Sequence, residues 1–485
     1  MREQLSKKKS GGDDAVDTPV PIPNTEVKHR SGEDIRKDKI ASRRAFFIQR
    51  IFIFINEYTK LDLSFIILIA EGGRIMDINL IRLIAPNHAK NKDVINIGDN
   101  LIEDINNLLI NDDLQLVEGA KDSPIDAVMV ESGGSEYLFK EIVNELKSPF
   151  ILFATSMNNS LAASLEMQTY AINNDQHLIF GAGDENELAS IISHAADVIN
   201  SYNKIRNSKL AVIGGVSPWL IASEVDYLKV KEIFGIDMID VSYEELCEEI
   251  NKQEFVPFLP KYEEILRKYK NKEKVNQSYY IYSALKRIVK KYNLDGLTIK
   301  CFDLIDDFKS TACLALSLLN DEGITAACEG DVPALITMHI VSKTTGKPTF
   351  MANISNISLK DQSMILAHCT VPLAMTNKYS LDTHFESGLG IAIKGHMPEE
   401  DITIVKIPPN FKQKDLLILS TKIKENLSLP NFCRTQIKVE LKEEDIFYLI
   451  HKSFANHVIV AYSDIMNDLF LVLQIFFRFS EDSFE

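Results

Sequence analysis

The sequence predicts an α/β protein: two parallel-sheet domains followed by a β-rich α+β C-terminal domain. Three observations predict it. From Met76 to about residue 302, short apolar runs alternate with helical stretches. Several of these joins are made by glycine-containing turns. Beyond about residue 324, one helix is followed by a succession of short β-like runs. Strands alternating with helices imply a parallel sheet covered on both faces, whereas a run of short strands implies a separate β-rich unit.

The elements follow in order. Ile78-Asn79-Leu80-Ile81-Arg82-Leu83-Ile84 reads as a first strand, with a helix near 97–110. Asp126–Val130 is a second strand, turned by Ser132-Gly133-Gly134-Ser135 into a helix at Glu136. Pro149–Ala154 and His177–Gly181 are the third and fourth, each followed by a helix, from Ser160 and over 185–203. The polar stretch Asn203–Ser208 marks a boundary. A second series begins with Lys209–Gly215 and a helix near Trp219. It continues with Met238–Ser242, a polar break at Lys270–Lys274 and a helix over 277–292. Leu297–Phe302 is its expected closing strand. Gly323–Ala327 then leads like a buried strand into Cys328-Glu329-Gly330-Asp331-Val332-Pro333 and an apolar helix. β-like runs follow at 348–354, 363–371, 389–394, 402–407, 415–421 and 433–441. A helix near 444–454, a strand at 457–462 and a final helix close the chain. The expected domains are 76–205, 206–322 and 323–485, with 1–75 outside them.

Composition narrows the function. With 485 residues and 45% hydrophobic content, the chain can bury several cores. A net charge of −16 argues against nucleic acid and anionic membranes as partners. The six cysteines show no C-x-x-C spacing, which points to reduced thiols and a cytoplasmic setting. Apolar runs such as Phe65–Ala70 and Leu469–Phe477 are far shorter than the roughly 20 residues of a membrane span. The glycine pairs Gly133-Gly134 and Gly214-Gly215 fit neither G-x-G-x-x-G nor a P-loop, so no nucleotide site is expected.

The chemistry gathers around Glu329. It sits where a strand ends and a helix begins, the edge at which α/β proteins bind ligands. Downstream lie Asn353, His368 in Leu366-Ala367-His368-Cys369-Thr370, His384 in Thr383-His384-Phe385-Glu386-Ser387-Gly388, and His457 after Asn456. One carboxylate, an amide and several imidazoles suit an open divalent-metal site. Oxygen and imidazole donors favour Mn²⁺, Mg²⁺ or Co²⁺. Asp331 precedes Pro333 and can cap the helix; the other reading is acid–base work. His384 and Glu386 alternate as on one face of a strand. Trp219 suits either sugar stacking or core packing.

With these motifs, and with Asn158-Asn159-Ser160-Leu161-Ala162-Ala163 and Gly214-Gly215-Val216-Ser217-Pro218-Trp219, the chain resembles the L-fucose isomerase/L-arabinose isomerase superfamily, most of all its shorter fucose-isomerase-like branch. The resemblance covers roughly Met76 to Glu485. It implies two Rossmann-like domains ahead of the β-rich one, a Mn²⁺-type metal, and aldose–ketose interconversion on a small sugar. It also implies a homotrimer or homohexamer with sites near subunit boundaries. By position it makes Glu329, His368 and His457 metal ligands, with Glu329 also the base. Asn353 stands where the best-studied isomerases carry a carboxylate; an amide oxygen can coordinate but cannot serve as a base. Asp331 is then a possible second proton-transfer partner. Trp219, Asn159, His384, Glu386 and Asn456 are candidate substrate contacts. A non-catalytic sugar-binding protein and a metal-assisted epimerase are the alternatives.

Residues 1–75 are expected to form a disordered or non-native extension. The apolar pieces at 46–55 and 64–70 have no helical spacing or turn signals. Glu71-Gly72-Gly73-Arg74 can be encoded by a purine-rich stretch resembling a ribosome-binding site, which makes Met76 a candidate start.

Overall fold

The computed structural model describes residues 75–257, 260–412, 415–452, 454–462 and 465–477. The extension expected at the N-terminus lies outside the described residues.

The first sheet comprises β1 (Met76–Leu83), β2 (Leu114–Glu118), β3 (Asp126–Val130), β4 (Phe150–Ala154) and β5 (Leu178–Ala182). All pairings are parallel, in the order β2-β1-β3-β4-β5. The pleat explains the covering of both faces. Ala127 and Met129 of β3 pack on one side with Ile105, Leu109 and Ile192. Val128 and Val130 pack on the other with Phe139, Ala163 and Met167. The central strands β3 and β4 are buried throughout, as continuous apolar runs in parallel sheets should be. The helix expected near 97–110 spans Lys92–Leu109, because the Asn91 side chain accepts the Asp93 backbone N–H and starts it early. The edge strand β2 was not expected; its Leu-Gln-Leu pattern is short and only partly buried.

The second sheet holds β6 (Lys209–Ile213), β7 (Asp237–Val241), β8 (Gly296–Ile299) and β9 (Thr325–Ala327), again parallel, in the order β7-β6-β8-β9. Two expectations are corrected here. β8 does not close this sheet. Thr325–Ala327, expected to open the C-terminal domain, pairs with β8 and lengthens the sheet. Nor is there a helix at Trp219: residues 218–222 are turns, and the helix begins at Tyr227. Gly214 and Gly215, both at left-handed φ, turn the chain out of β6, and Asp226 supplies the cap from which the helix can start.

The C-terminal strands are β10 (Phe350–Ser358), β11 (Ser363–His368), β12 (Lys378–Asp382), β13 (Ala392–His396), β14 (Asp401–Lys406), β15 (Leu417–Asn426), β16 (Thr435–Glu440) and β17 (His457–Tyr462). Six of them form a closed antiparallel barrel in the order β10-β11-β16-β15-β14-β17, with β10 pairing β17 to complete the ring. β12 and β13 form a separate hairpin. The expected β-rich unit is thus a barrel, and a barrel leaves no open sheet edge.

Between the second sheet and the barrel runs the helix Val332–Thr345. Every residue from Val332 to Val341 is buried. A helix apolar on all sides belongs in the interior, and here one continuous core joins Leu297 and Ile299 of β8, Leu335 and Ile336 of the helix, and Ile404 and Val458 of the barrel. That packing brings the carboxyl edge of the second sheet against the barrel. Among the described residues, no helix is long and apolar enough to cross a membrane.

Candidate metal centre

Glu329 lies between β9 and the buried helix with a left-handed φ of 64°, followed by Gly330 at 71°. A non-glycine residue in that region costs energy and must be held there by its surroundings. The loop after β6 holds it. The Ser217 N–H donates to the Glu329 carbonyl at 3.2 Å. Gly330 packs against the Gly215 and Val216 backbone so closely that a Cβ would lie 2.9 Å from Val216 Cα.

Two imidazoles face this carboxylate. His368, at the end of β11, and His457, at the start of β17, each place Nε2 3.6 Å from Glu329 Oε1. Potential ligand atoms of the three residues all lie within 4.8 Å of one another. The far nitrogens are tied back. His457 Nδ1 bonds Asp331 Oδ2 at 2.8 Å, and His368 Nδ1 bonds Thr370 Oγ1 at 2.9 Å. His457 Nε2 is buried and finds no hydrogen-bond partner among the described residues. A buried polar atom is normally satisfied. An orphaned imidazole nitrogen converging on a carboxylate and a second imidazole fits a divalent cation with mixed nitrogen and oxygen donors. Tying each imidazole through its other nitrogen is how proteins orient metal-binding histidines.

The electrostatics agree. Burial alone would raise the Glu329 carboxyl, but the facing His368 and His457 outweigh it and hold the group well below the carboxylate range. Burial likewise opposes ionisation of Asp331, yet the Lys406 charge and His457 keep its pKa down at about 2. Burial disfavours the His457 cation, but Asp331 and Glu329 raise its pKa to about 8. His368 is lowered, chiefly by burial. A cluster already carrying two ionised carboxylates is disposed to accept a cation.

The other sequence-derived residues fall as follows. Asp331 is the N-cap of Val332–Thr345: Oδ1 accepts the Ala334 N–H at 2.9 Å while Oδ2 takes His457. It is wholly buried, and its position supports capping and the holding of His457. Asn353, half-buried in β10, is the cross-strand partner of His457, and paired residues share a face of the sheet. Trp219 joins the centre, its Nε1–H donating to Glu329 Oε2 at 2.9 Å.

His384 and Glu386 are not on a strand. They occupy a turn after β12, closed by the Gly388 N–H donating to the His384 carbonyl and by a 3.1 Å contact between His384 Nδ1 and Ser387 Oγ. A five-residue alternation cannot tell a strand from a turn that ends in a left-handed glycine. His384 packs edge-on against Phe302 at 5.4 Å, and burial with the nearby His368 lowers its pKa to about 4. The Glu386 carboxyl is pushed up by partial burial and by the Glu329 charge. Asn456 is exposed beside His457. Asn159 is exposed at the start of the helix Ser160–Asn173, on the first sheet, and no contact among the described residues links it to Glu329.

Lys406, at the end of β14, escaped the sequence reading. Its side chain is fully buried, with Nζ 4.0 Å from Asp331 Oδ2 and no hydrogen-bond partner among the described residues. The available signal was a lysine inside the apolar run Ile402-Thr403-Ile404-Val405-Lys406-Ile407.

No family model matches the chain. Two curated proteins are similar to it. A sulfoquinovose isomerase of Alkalicoccus urumqiensis is 20% identical over 367 residues, covering 71% of this chain and 80% of that protein. A sulfoquinovose isomerase of Clostridium sp. (strain MSTE9) is 23% identical over 310 residues, covering 60% and 68% respectively. At this level the similarity indicates a family of sugar isomerases, without singling out the fucose-isomerase-like branch.

Proposed function

We propose that the chain is a metal-dependent aldose–ketose isomerase acting on a sugar or sugar derivative, with sulfoquinovose as the first substrate to test. The observation that carries the reading is the convergence of Glu329, His368 and the unpartnered His457 Nε2 at one buried point. Similarity to two sugar isomerases supports it.

Moving a hydrogen between C1 and C2 of a sugar passes through a cis-enediol. A divalent ion, Mn²⁺ or a similar hard cation, supplies charge stabilisation for the two sugar oxygens when bound. The chain's residues do the rest. Glu329 Oε1, His368 Nε2 and His457 Nε2 would hold the ion, and Asn353, the cross-strand partner of His457, would add an amide oxygen to the set. Asp331 and Thr370 keep the imidazoles turned towards it. Glu329 would also act as the base, taking the C2 proton and returning a proton to C1. Glu386, whose carboxyl is raised by partial burial and by the Glu329 charge, is a further proton-transfer candidate beside it. Asp331, bonded to His457, is the other candidate for the second partner. His384, Trp219 and Asn456 contact the sugar. The partner is a small molecule, and assembly is as a homotrimer or homohexamer, which light scattering at micromolar concentration would measure.

The direct test is ketose formation from sulfoquinovose and a panel of neutral aldoses with Mn²⁺. Ketose appearing with solvent deuterium at the transferred position is the expected result. Sugar binding without any product would overturn the reading, and deuterium at C2 without ketose would replace it with epimerisation.

A further inference from the structure

We propose that Trp219 is a positioning residue for Glu329: its indole N–H occupies Oε2, so that the carboxylate presents Oε1 alone to the metal. The inference rests on reading Glu329 as a metal ligand and does not depend on which sugar is turned over.

The two carboxylate oxygens have different surroundings. Oε1 faces both imidazoles at 3.6 Å, whereas Oε2 accepts the Trp219 Nε1–H at 2.9 Å. With one oxygen held, the carboxylate cannot swing to chelate with both oxygens unless the indole bond breaks. The indole is itself fixed. Its ring meets Phe302 edge-on, with centroids 4.8 Å apart, and the same loop grips the Glu329 backbone through Ser217. One short loop therefore sets both the left-handed backbone of Glu329 and the rotation of its side chain. Trp219 remains 47% exposed, so burial of its ring does not account for its placement. Hydrogen bonds to a ligating carboxylate tune its orientation and the affinity of the site.

Trp219→Phe keeps a ring against Phe302 and removes only the N–H and the outer part of the indole. Calorimetric titration with Mn²⁺ should show affinity about tenfold weaker than wild type, with the thermal midpoint almost unchanged. Unchanged Mn²⁺ affinity, with sugar binding weakened instead, would overturn the proposal and make Trp219 a sugar platform. Failure of wild-type protein to bind Mn²⁺, Co²⁺ or Mg²⁺ would overturn it together with the metal reading, while ketose formation would be judged separately. A readout on the unaltered protein guards against a misfolded variant. Trp219 is the single tryptophan of the chain, so its emission should change on Mn²⁺ addition and saturate at the calorimetric Kd. Emission indifferent to bound metal would also overturn the proposal.

Discussion

Asp331 Oδ2 lies 2.8 Å from His457 Nδ1, a fully buried contact between residues 126 positions apart. It joins the N-terminus of the central helix to the first residue of the last barrel strand. Asp331→Asn preserves the cap, because the amide oxygen can still accept the Ala334 N–H. It removes the charged acceptor of His457. Metal affinity should fall about 10- to 100-fold with the fold intact, measured by Mn²⁺ titration beside a thermal melt. Wild-type affinity in the variant would detach Asp331 from the site.

Glu329→Gln should abolish both metal binding and turnover, since an amide replaces the carboxylate that, among the described residues, faces the two imidazoles. Asn353→Asp should do the reverse and tighten Mn²⁺ by about tenfold, because it adds a negative oxygen donor opposite His457. Metal content after dialysis checks the first and calorimetry the second. Weaker binding by a folded Asn353→Asp protein would exclude Asn353 as a ligand.

Gly330→Ala should be severe. The residue has φ +71°, and a Cβ would press on the Gly215 carbonyl and Val216. Relief requires moving the backbone on which Glu329 stands. A loss of about 2–4 kcal/mol is expected, read as a lower urea midpoint. Ala at Gly346, also at positive φ but in open space, should cost about 1 kcal/mol.

Stability of the metal-free protein should depend on His339. This imidazole is fully buried between Ser208 Oγ and Thr325 Oγ1, and burial, with the Lys343 charge, lowers its pKa to about 3. Above about pH 6.5 it is neutral in both folded and unfolded chains and has no effect. As pH falls below that value only the unfolded chain takes up the proton, and stability drops by about 1.4 kcal/mol per pH unit until about pH 3. His384 and His368, also lowered, act in the same direction. His457, raised to about 8, acts oppositely: its contribution is full below pH 6.5 and is lost as pH rises through 8. His339→Gln should flatten the urea-midpoint profile between pH 6.5 and 5. An unchanged slope would remove His339 from the account.

The parallel sheets were legible because their inner strands, such as 126–130 and 150–154, are apolar runs with no competing helical period. β2 was not, since an edge strand needs burial on fewer sides and leaves a fainter pattern. β9 was read as a strand but placed in the wrong sheet. Three small residues carry no record of their neighbour, and pairing with β8 is decided by tertiary packing. Barrel closure was equally invisible, because the β10–β17 pairing unites segments that nothing local connects. Glu329, His368 and His457 were found through their motifs, and the structure brings all three together. His384 and Glu386 misled because alternation over a few residues is also compatible with a turn. Lys406 lacked any motif, and Thr370, though inside the His368 motif, was given no role of its own; the side chains they approach in space reveal both.

The pairing of β10 with β17 has a consequence for synthesis. Residues leave the ribosome in order, and the two parallel sheets can form while the barrel still lacks its last stave. Until residues 457–462 emerge, β10 and β14 each lack a neighbour, and Glu329 faces His368 without its second imidazole. The centre is therefore among the last parts of the molecule to exist. A chain released before residue 457 would carry most of the folded mass and none of the complete site.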